Sequence, residues 1–276
     1  MRYGLVLAVL LAAAFPARAE LVDLELVLAV DVSGSVDDEE ADLQRAGTVA
    51  ALTDGRVIRV IEAGRRGRIA VAYVEWAGDP IQRLVVDWSV IDGVASAADF
   101  ARRLAEAPLS VEMWTSLSGV MRFAHDLFRL SPHRGRRRVL DISGDGPNND
   151  GALVTGARAV MIKDGITING LPIINGRPSR YGTPPLEHLD WYYEDCVIGG
   201  PAAFIVIANT YRDFGRAIRR KLILEIAGLT PERRSPERPA RLIRVAERRA
   251  PERFDMPCNV GEIVRESRDE FWVMYS

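Results

Sequence analysis

The sequence predicts an α/β fold: a doubly wound, mostly parallel central sheet with one antiparallel edge strand, followed by a C-terminal tail. Three observations carry this. Leu26 to Val30 is continuously apolar and of strand length, the composition of a strand covered on both faces. From there to residue 229, segments with strand and helix periodicity alternate. Strands also break into polar, turn-rich stretches at their carboxyl ends, notably Asp31-Val-Ser-Gly-Ser35 and Gly144-Asp-Gly-Pro-Asn-Asn-Asp150. Those ends are where an open α/β sheet gathers its ligand groups.

The elements follow in order. Leu21 to Val30 reads as the first strand. Asp37 to Leu52 reads as a helix whose acidic start complements the helix dipole. Gly55 breaks it, and Val57 to Ile61 forms a further helical turn. Gly67 to Trp76 and Ile81 to Trp88 are strands joined by Ala77-Gly-Asp-Pro80, a link short enough for a hairpin, which makes one edge antiparallel. Ser96 to Glu106 is a helix. Ser116 to Leu130 has the clearest helical period, with Leu117, Val120, Met121, Ala124, Leu127 and Phe128 on one face and Thr115 at the N-cap. Basic residues Arg134 to Arg138 lead into a strand at Val139 to Ser143. A helix at Ala152 to Asp164, a strand at Ile166 to Ile174, a short helix at Pro185 to Tyr193, a last strand at Ala202 to Ala208 and a helix at Tyr211 to Ala227 complete the pattern.

The ends differ from this body. Residues 1–19 read as a secretory signal: Arg2, an apolar core from Leu5 to Phe15, and the small-x-small site Ala17-Arg-Ala19. That core is too short for a permanent membrane helix, and no other segment reads as a span. The expected location is therefore the periplasm or the cell exterior. Residues 20–229 form the domain. Residues 230–276 are a Pro/Arg/Glu-rich extension that regains apolar residues after Val260, as helix or strand. Two cysteines, Cys196 and Cys258, permit one disulfide in an exported chain; two separate buried thiols are the other reading. The formal net charge of −2 supplies no basic field for nucleic acid.

The candidate chemistry lies at one rim. Asp31, Ser33 and Ser35 follow the first strand, Thr115 precedes the mid-chain helix, and Asp145 ends the fourth strand. Carboxylates mixed with neutral hydroxyls suit a hard cation that keeps some waters, Mg²⁺ above all, with Mn²⁺ the alternative occupant. Taken singly, each residue reads as a cap or a turn former; taken jointly, they read as a metal site. His125, His133 and His188 show no metal spacing and read as surface residues. Trp191, Tyr192 and Tyr193 form either an interface patch or a packed local cluster. Asp37, Asp38 and Asp150 read as helix-start and turn residues.

Asp31-x-Ser33-x-Ser35, a later lone Thr115 and Asp145 in Ser-Gly-Asp-Gly resemble the von Willebrand factor type A domain and its metal-ion-dependent adhesion site. The wider sequence is similar to a bacterial group of exported proteins of unknown function within that superfamily (DUF1194-like). That similarity includes Val74-Glu-Trp-Ala-Gly78, Val197-Ile-Gly-Gly-Pro201 and Ala217-Ile-Arg-Arg-Lys-Leu222, and spans about Leu21 to Leu229. The resemblance implies that Ser33 and Ser35 bind the metal directly, Thr115 directly or through water, and Asp31 and Asp145 mainly through water. It implies a non-enzymatic, metal-dependent module whose protein partner offers an acidic residue. The alternatives are a metal-dependent hydrolase or phosphatase on the same rim, which lacks a positioned general base, and a structural domain with a vestigial site.

Overall fold

A computed structural model of the chain describes residues 19–110, 112–178, 184–231 and 256–275. The signal reading and most of the Pro/Arg/Glu-rich stretch lie outside the described residues. Five strands form the sheet: β1 (Glu20–Asp31), β2 (Ile69–Trp76), β3 (Gln82–Ile91), β4 (His133–Gly144) and β5 (Thr167–Pro172). Their order is β3-β2-β1-β4-β5. β1 runs parallel to β2 and β4, and β4 parallel to β5. β3 is the antiparallel edge predicted from the hairpin.

The continuous apolar run of β1 divides between two cores by the period-two alternation of a strand. Leu26, Leu28 and Val30 face the core that includes Leu52, Phe100, Phe214 and Leu222. These come from α1 (Asp38–Leu52), α3 (Val94–Glu106) and α7 (Phe214–Ala227), and α2 (Gly55–Glu62) adds Val57 and Ile61 to the same side. Val27 and Ala29 face the opposite core, with Val120 and Phe128 of α4 (Leu117–Leu130), Val154 and Met161 of α5 (Val154–Lys163), and Leu189 of α6 (Leu189–Tyr192). The strand read from its composition as covered on both faces is covered on both faces.

Local chemistry sets the helix starts. Asp37 caps α1, accepting from the Glu40 backbone N–H at 2.9 Å, while the Glu40 carboxylate accepts from the Asp37 N–H at 3.0 Å, a reciprocal capping box. The cap of α4 is Ser116, not Thr115: the Ser116 hydroxyl accepts from the Gly119 N–H at 3.1 Å. Two further expectations change. The basic run Arg134 to Arg138 is already inside β4, and His133 is buried at its start, because β1 extends far enough to pair with it. Ala202 to Ala208 makes only isolated bridges, Ile205 to Gly170 of β5 and Ala208 to Ile173 just after it, so it is no full strand.

The core also holds charge. Lys221 of α7 is fully buried, donates to Glu225 Oε1 at 2.6 Å and pairs with Asp141 of β4. Asn169 of β5 donates to the same Glu225 oxygen at 2.9 Å. Buried Glu75 of β2 is met by Arg45 and Arg83. These carboxylates have cations supplied by the chain itself, as burial requires.

The cysteines form a disulfide, Cys196–Cys258, joining the helical turn after α6 to the segment just before α8 (Val260–Tyr275). The late apolar stretch is therefore a helix. Tyr192 and Tyr193 are buried in the second core, and Trp191 stacks on His188 at 4.0 Å between ring centroids. The packed-cluster reading holds for the two tyrosines.

Candidate metal centre

Each part of the candidate site is set by a neighbouring strand end. At the end of β1, the Val32 N–H donates to Trp76 O at 2.9 Å, and Gln44 of α1 donates to Asp31 O at 3.0 Å. The chain then turns so that the Ser33 N–H reaches Asp31 Oδ1 at 2.7 Å. This turn lifts the hydroxyls of Ser33 and Ser35 to the same side, 3.2 Å apart. Thr115 is held by a reciprocal pair: its N–H donates to Asn149 Oδ1 at 2.9 Å, and the Asn149 N–H donates to Thr115 O at 2.9 Å. Trp114 before it takes a φ of 68°, the left-handed region that a bulky residue adopts only under constraint. Because Ser116 does the capping, the Thr115 hydroxyl is left to meet Ser33 Oγ at 3.3 Å.

Asp145 follows β4. It accepts from Ser35 Oγ at 2.5 Å on one oxygen, and from Tyr211 OH at 2.9 Å on the other. Asn175 also points to that second oxygen, at 3.4 Å. The five residues named from the sequence thus meet at one point, linked hydroxyl to hydroxyl to carboxylate. Asp31, Ser33 and Thr115 are buried, Ser35 is half-buried, and Asp145 lies at the buried edge.

The electrostatics are unusual for a buried cluster. Burial first, and then the charge of Asp145, push the Asp31 carboxyl up to about 8, against the opposing hydrogen bonds of Ser33. Burial likewise raises Asp145, opposed by Ser35 and Tyr211. Asp31 Oδ2 is buried with no hydrogen-bond partner. It lies where Gly144 leaves room for it: a Cβ on Gly144 would sit 2.7 Å from that oxygen. Among the described residues, no lysine or arginine pairs with Asp31 or Asp145. Nor do three His, Cys, Asp or Glu side chains cluster anywhere among them. The donor set is instead two carboxylates and three hydroxyls, all hard oxygens, with one carboxylate oxygen unsatisfied. That chemistry fits a hard divalent cation that retains waters.

Sequence reasoning missed the supports. Tyr211 read as a helix start, Asn149 as one of several turn residues, and Asn175 as the start of a loop; each orients a site side chain. Only Asn149 carried a local signal, its place in a polar loop at a strand's carboxyl end. Asp150, read as a turn residue, does structural work: it accepts from the Asp79 N–H at 2.8 Å and from Arg265 at 2.5 Å.

Comparison with known proteins gives the context. Residues 21–230 match the family described as "Protein of unknown function (DUF1194)". The chain belongs to this family. No curated protein matches the chain. Among solved structures, the DUF1194 chain resembles proximal thread matrix protein 1 of the mussel byssus (TM-score 0.54, 12% identity, 75% of this chain and 48% of that one). One structure of that protein has a zinc-occupied MIDAS motif (TM-score 0.51, 13% identity, 74% and 46%). The chain also resembles a von Willebrand factor type A protein from Catenulispora acidiphila (TM-score 0.52, 13% identity, 74% and 43%). A third likeness is to the pilus adhesin SpaC of Lactobacillus rhamnosus GG (TM-score 0.53, 12% identity, 75% and 31%). The chain spans less than half the length of each. At these identities the likeness is one of fold: the DUF1194 chain has the von Willebrand factor type A architecture.

Proposed function

We propose that this DUF1194 protein is an exported, Mg²⁺-dependent protein-binding module of the adhesion type, acting without covalent chemistry. The observation that supports it best is the cluster of two carboxylates and three hydroxyls in which, among the described residues, buried Asp31 Oδ2 has no hydrogen-bond partner and no lysine or arginine pairs with either acid. Ser33 and Ser35 would hold the ion through their hydroxyls and Thr115 would sit beside them, while Asp31 and Asp145 would act through water and hydrogen bonds. Mg²⁺ bound this way keeps much of its charge and a coordination position for a partner's carboxylate. Asp31 orients the turn through the Ser33 N–H, and Tyr211 keeps Asp145 aimed at Ser35. The zinc-occupied MIDAS of the mussel protein and the adhesin SpaC are consistent with this reading. The disulfide is consistent with an oxidising location outside the cytoplasm. No helix among the described residues is long and apolar enough to cross a membrane.

The test is a pull-down from envelope extract with and without EDTA, with Asp145→Ala as control. A partner retained only by the wild type with metal is the expected result. An identical partner set in all conditions contradicts metal-bridged binding.

A further inference from the structure

Beside the metal rim lies a cleft of about 170 Å³ for which metal binding has no use. Ser35, Thr115 and Asp145 belong to both. Away from the rim its walls turn apolar: Met113, Trp114, Pro147, Pro185, Leu186 and Val264. Met113 and Val264 stay 49% and 40% exposed, so apolar surface is on offer there. Arg177 and Arg265 also line the cleft, but each already faces a carboxylate, Glu40 and Asp150 respectively. Charge recognition therefore falls to the rim, and the cleft recognises apolar bulk. An apolar cavity of about 150 Å³ is known to take up benzene, so this volume suits one Leu or Phe side chain.

One wall is the C-terminal helix α8, and it is fixed in place. Gly261 packs so closely that a Cβ there would sit 2.0 Å from Asn148 O. Asn148 Nδ2 donates to Glu262 Oε1 at 2.7 Å. Arg265 donates to Asn149 O at 3.0 Å and lies 4.1 Å over the Trp114 ring. The Cys196–Cys258 disulfide ties down the chain just before the helix. The helix thus braces the loop after β4 and the loop before α4, and the cleft is built before any ligand arrives.

We propose that this cleft is a side-chain subsite that takes a bulky apolar residue lying one or two positions from the acid that completes the metal shell. The partner segment is an acidic residue flanked by Leu or Phe, and the C-terminal extension supplies one wall of the subsite through Gly261, Val264 and Arg265. This rests on the metal-dependent reading above. The complementarity is twofold: an incomplete metal shell for the carboxylate, and contiguous apolar walls for its neighbour.

The probes are blocked peptides, Gly-Gly-Asp-Gly-Gly and its variants with Leu replacing each glycine in turn, plus the Leu peptides with Asn for Asp. Binding to the full chain is measured by calorimetry with Mg²⁺ or EDTA, and Mn²⁺ binding is followed separately by electron paramagnetic resonance. At least one Leu–Asp peptide is expected to bind about tenfold tighter than the all-glycine peptide, as burial of one such side chain gives. The Asn peptides and the EDTA samples should not bind. Gly261→Val, which cannot seat α8 against Asn148, and Val264→Arg, which fills the cleft, should each bring the Leu-to-Gly affinity ratio to one. A ratio on one protein is insensitive to any change in metal affinity. If Mn²⁺ binds but no Leu peptide is preferred, or no Asp peptide binds, the subsite is refuted and the metal site stands. If Mn²⁺ does not bind, the metal reading itself fails. A Leu preference that survives both variants places the subsite elsewhere and overturns the proposal.

Discussion

Two buried carboxylate pairs, one on the α7 face of the sheet and one at its carboxyl rim, are balanced differently. Asp141 and Glu225, on the α7 side, share Lys221, so the chain provides the cation. Asp31 and Asp145, at the carboxyl ends of β1 and β4, share no lysine or arginine among the described residues and leave Asp31 Oδ2 unpartnered. A buried charge must be compensated or neutralised. The first pair is finished by folding. The second, at the end of the sheet that ligands can reach, is the pair that the proposed cation would complete. The contrast lies in the source of the cation, since both pairs keep carboxylate oxygens without a hydrogen-bond partner among the described residues.

The comparison can be broken most forcefully at Lys221. Lys221→Met should cost about 3–5 kcal/mol, because it leaves buried Glu225 without its cation. Urea denaturation measures it, and the loss should persist with Mg²⁺ present. A loss below about 1 kcal/mol would mean that Asp141 and Glu225 do not depend on that cation. The rim should respond in the opposite sense to an added cation, if the proposed function holds. Mg²⁺ or Mn²⁺ at a hundredfold excess over its dissociation constant should stabilise the wild type by about 2.7 kcal/mol, seen as a rise in Tm. Ser33→Ala combined with Ser35→Ala should abolish the rise. An equal rise in the double variant would remove these hydroxyls from the site.

A sharper contrast comes from deleting one acid. Asp145→Asn should leave the metal-free protein unchanged or about 1 kcal/mol more stable, since it relieves a buried carboxylate pair. The same variant should lose the response to Mg²⁺. Chemical denaturation with and without metal separates the two effects. The last effect is on pH. Burial, and then the charge of Glu225, raise the Asp141 carboxyl from 3.8 to about 8, against the pull of Lys221. The folded chain therefore holds a proton there that the unfolded chain gives up between those values. By linkage this contribution weakens stability as pH rises across that window. Asp141→Asn removes the slope, so its stability relative to wild type should improve from about pH 5 to about pH 8. A relative stability that stays flat or falls would show that Asp141 is ionised throughout.

The legibility of the fold and the site followed the range of the interactions. Period and composition identified β1, the hairpin edge and α4, because burial of one face leaves its mark on neighbouring residues. Ala202 to Ala208 carried the same apolar mark, yet makes only isolated bridges, since pairing depends on a partner strand that composition does not encode. The sequence reading put the cap of α4 at Thr115, and the structure puts it at Ser116. Asn149 holds the Thr115 backbone, Ser116 caps, and the Thr115 hydroxyl faces Ser33.

By itself the sequence determined the α/β class, the family, and the five oxygen-bearing residues of the rim, because strand-end turns and their side chains are local and short in sequence. Only the tertiary structure decided that these five meet, that Tyr211 and Asn175 orient Asp145, and that a disulfide-tied helix from the far end of the chain walls the cleft beside them. Those contacts join residues tens to more than a hundred positions apart. Such pairings are selected by packing and by the compensation of buried charge, and neither leaves a pattern along the chain.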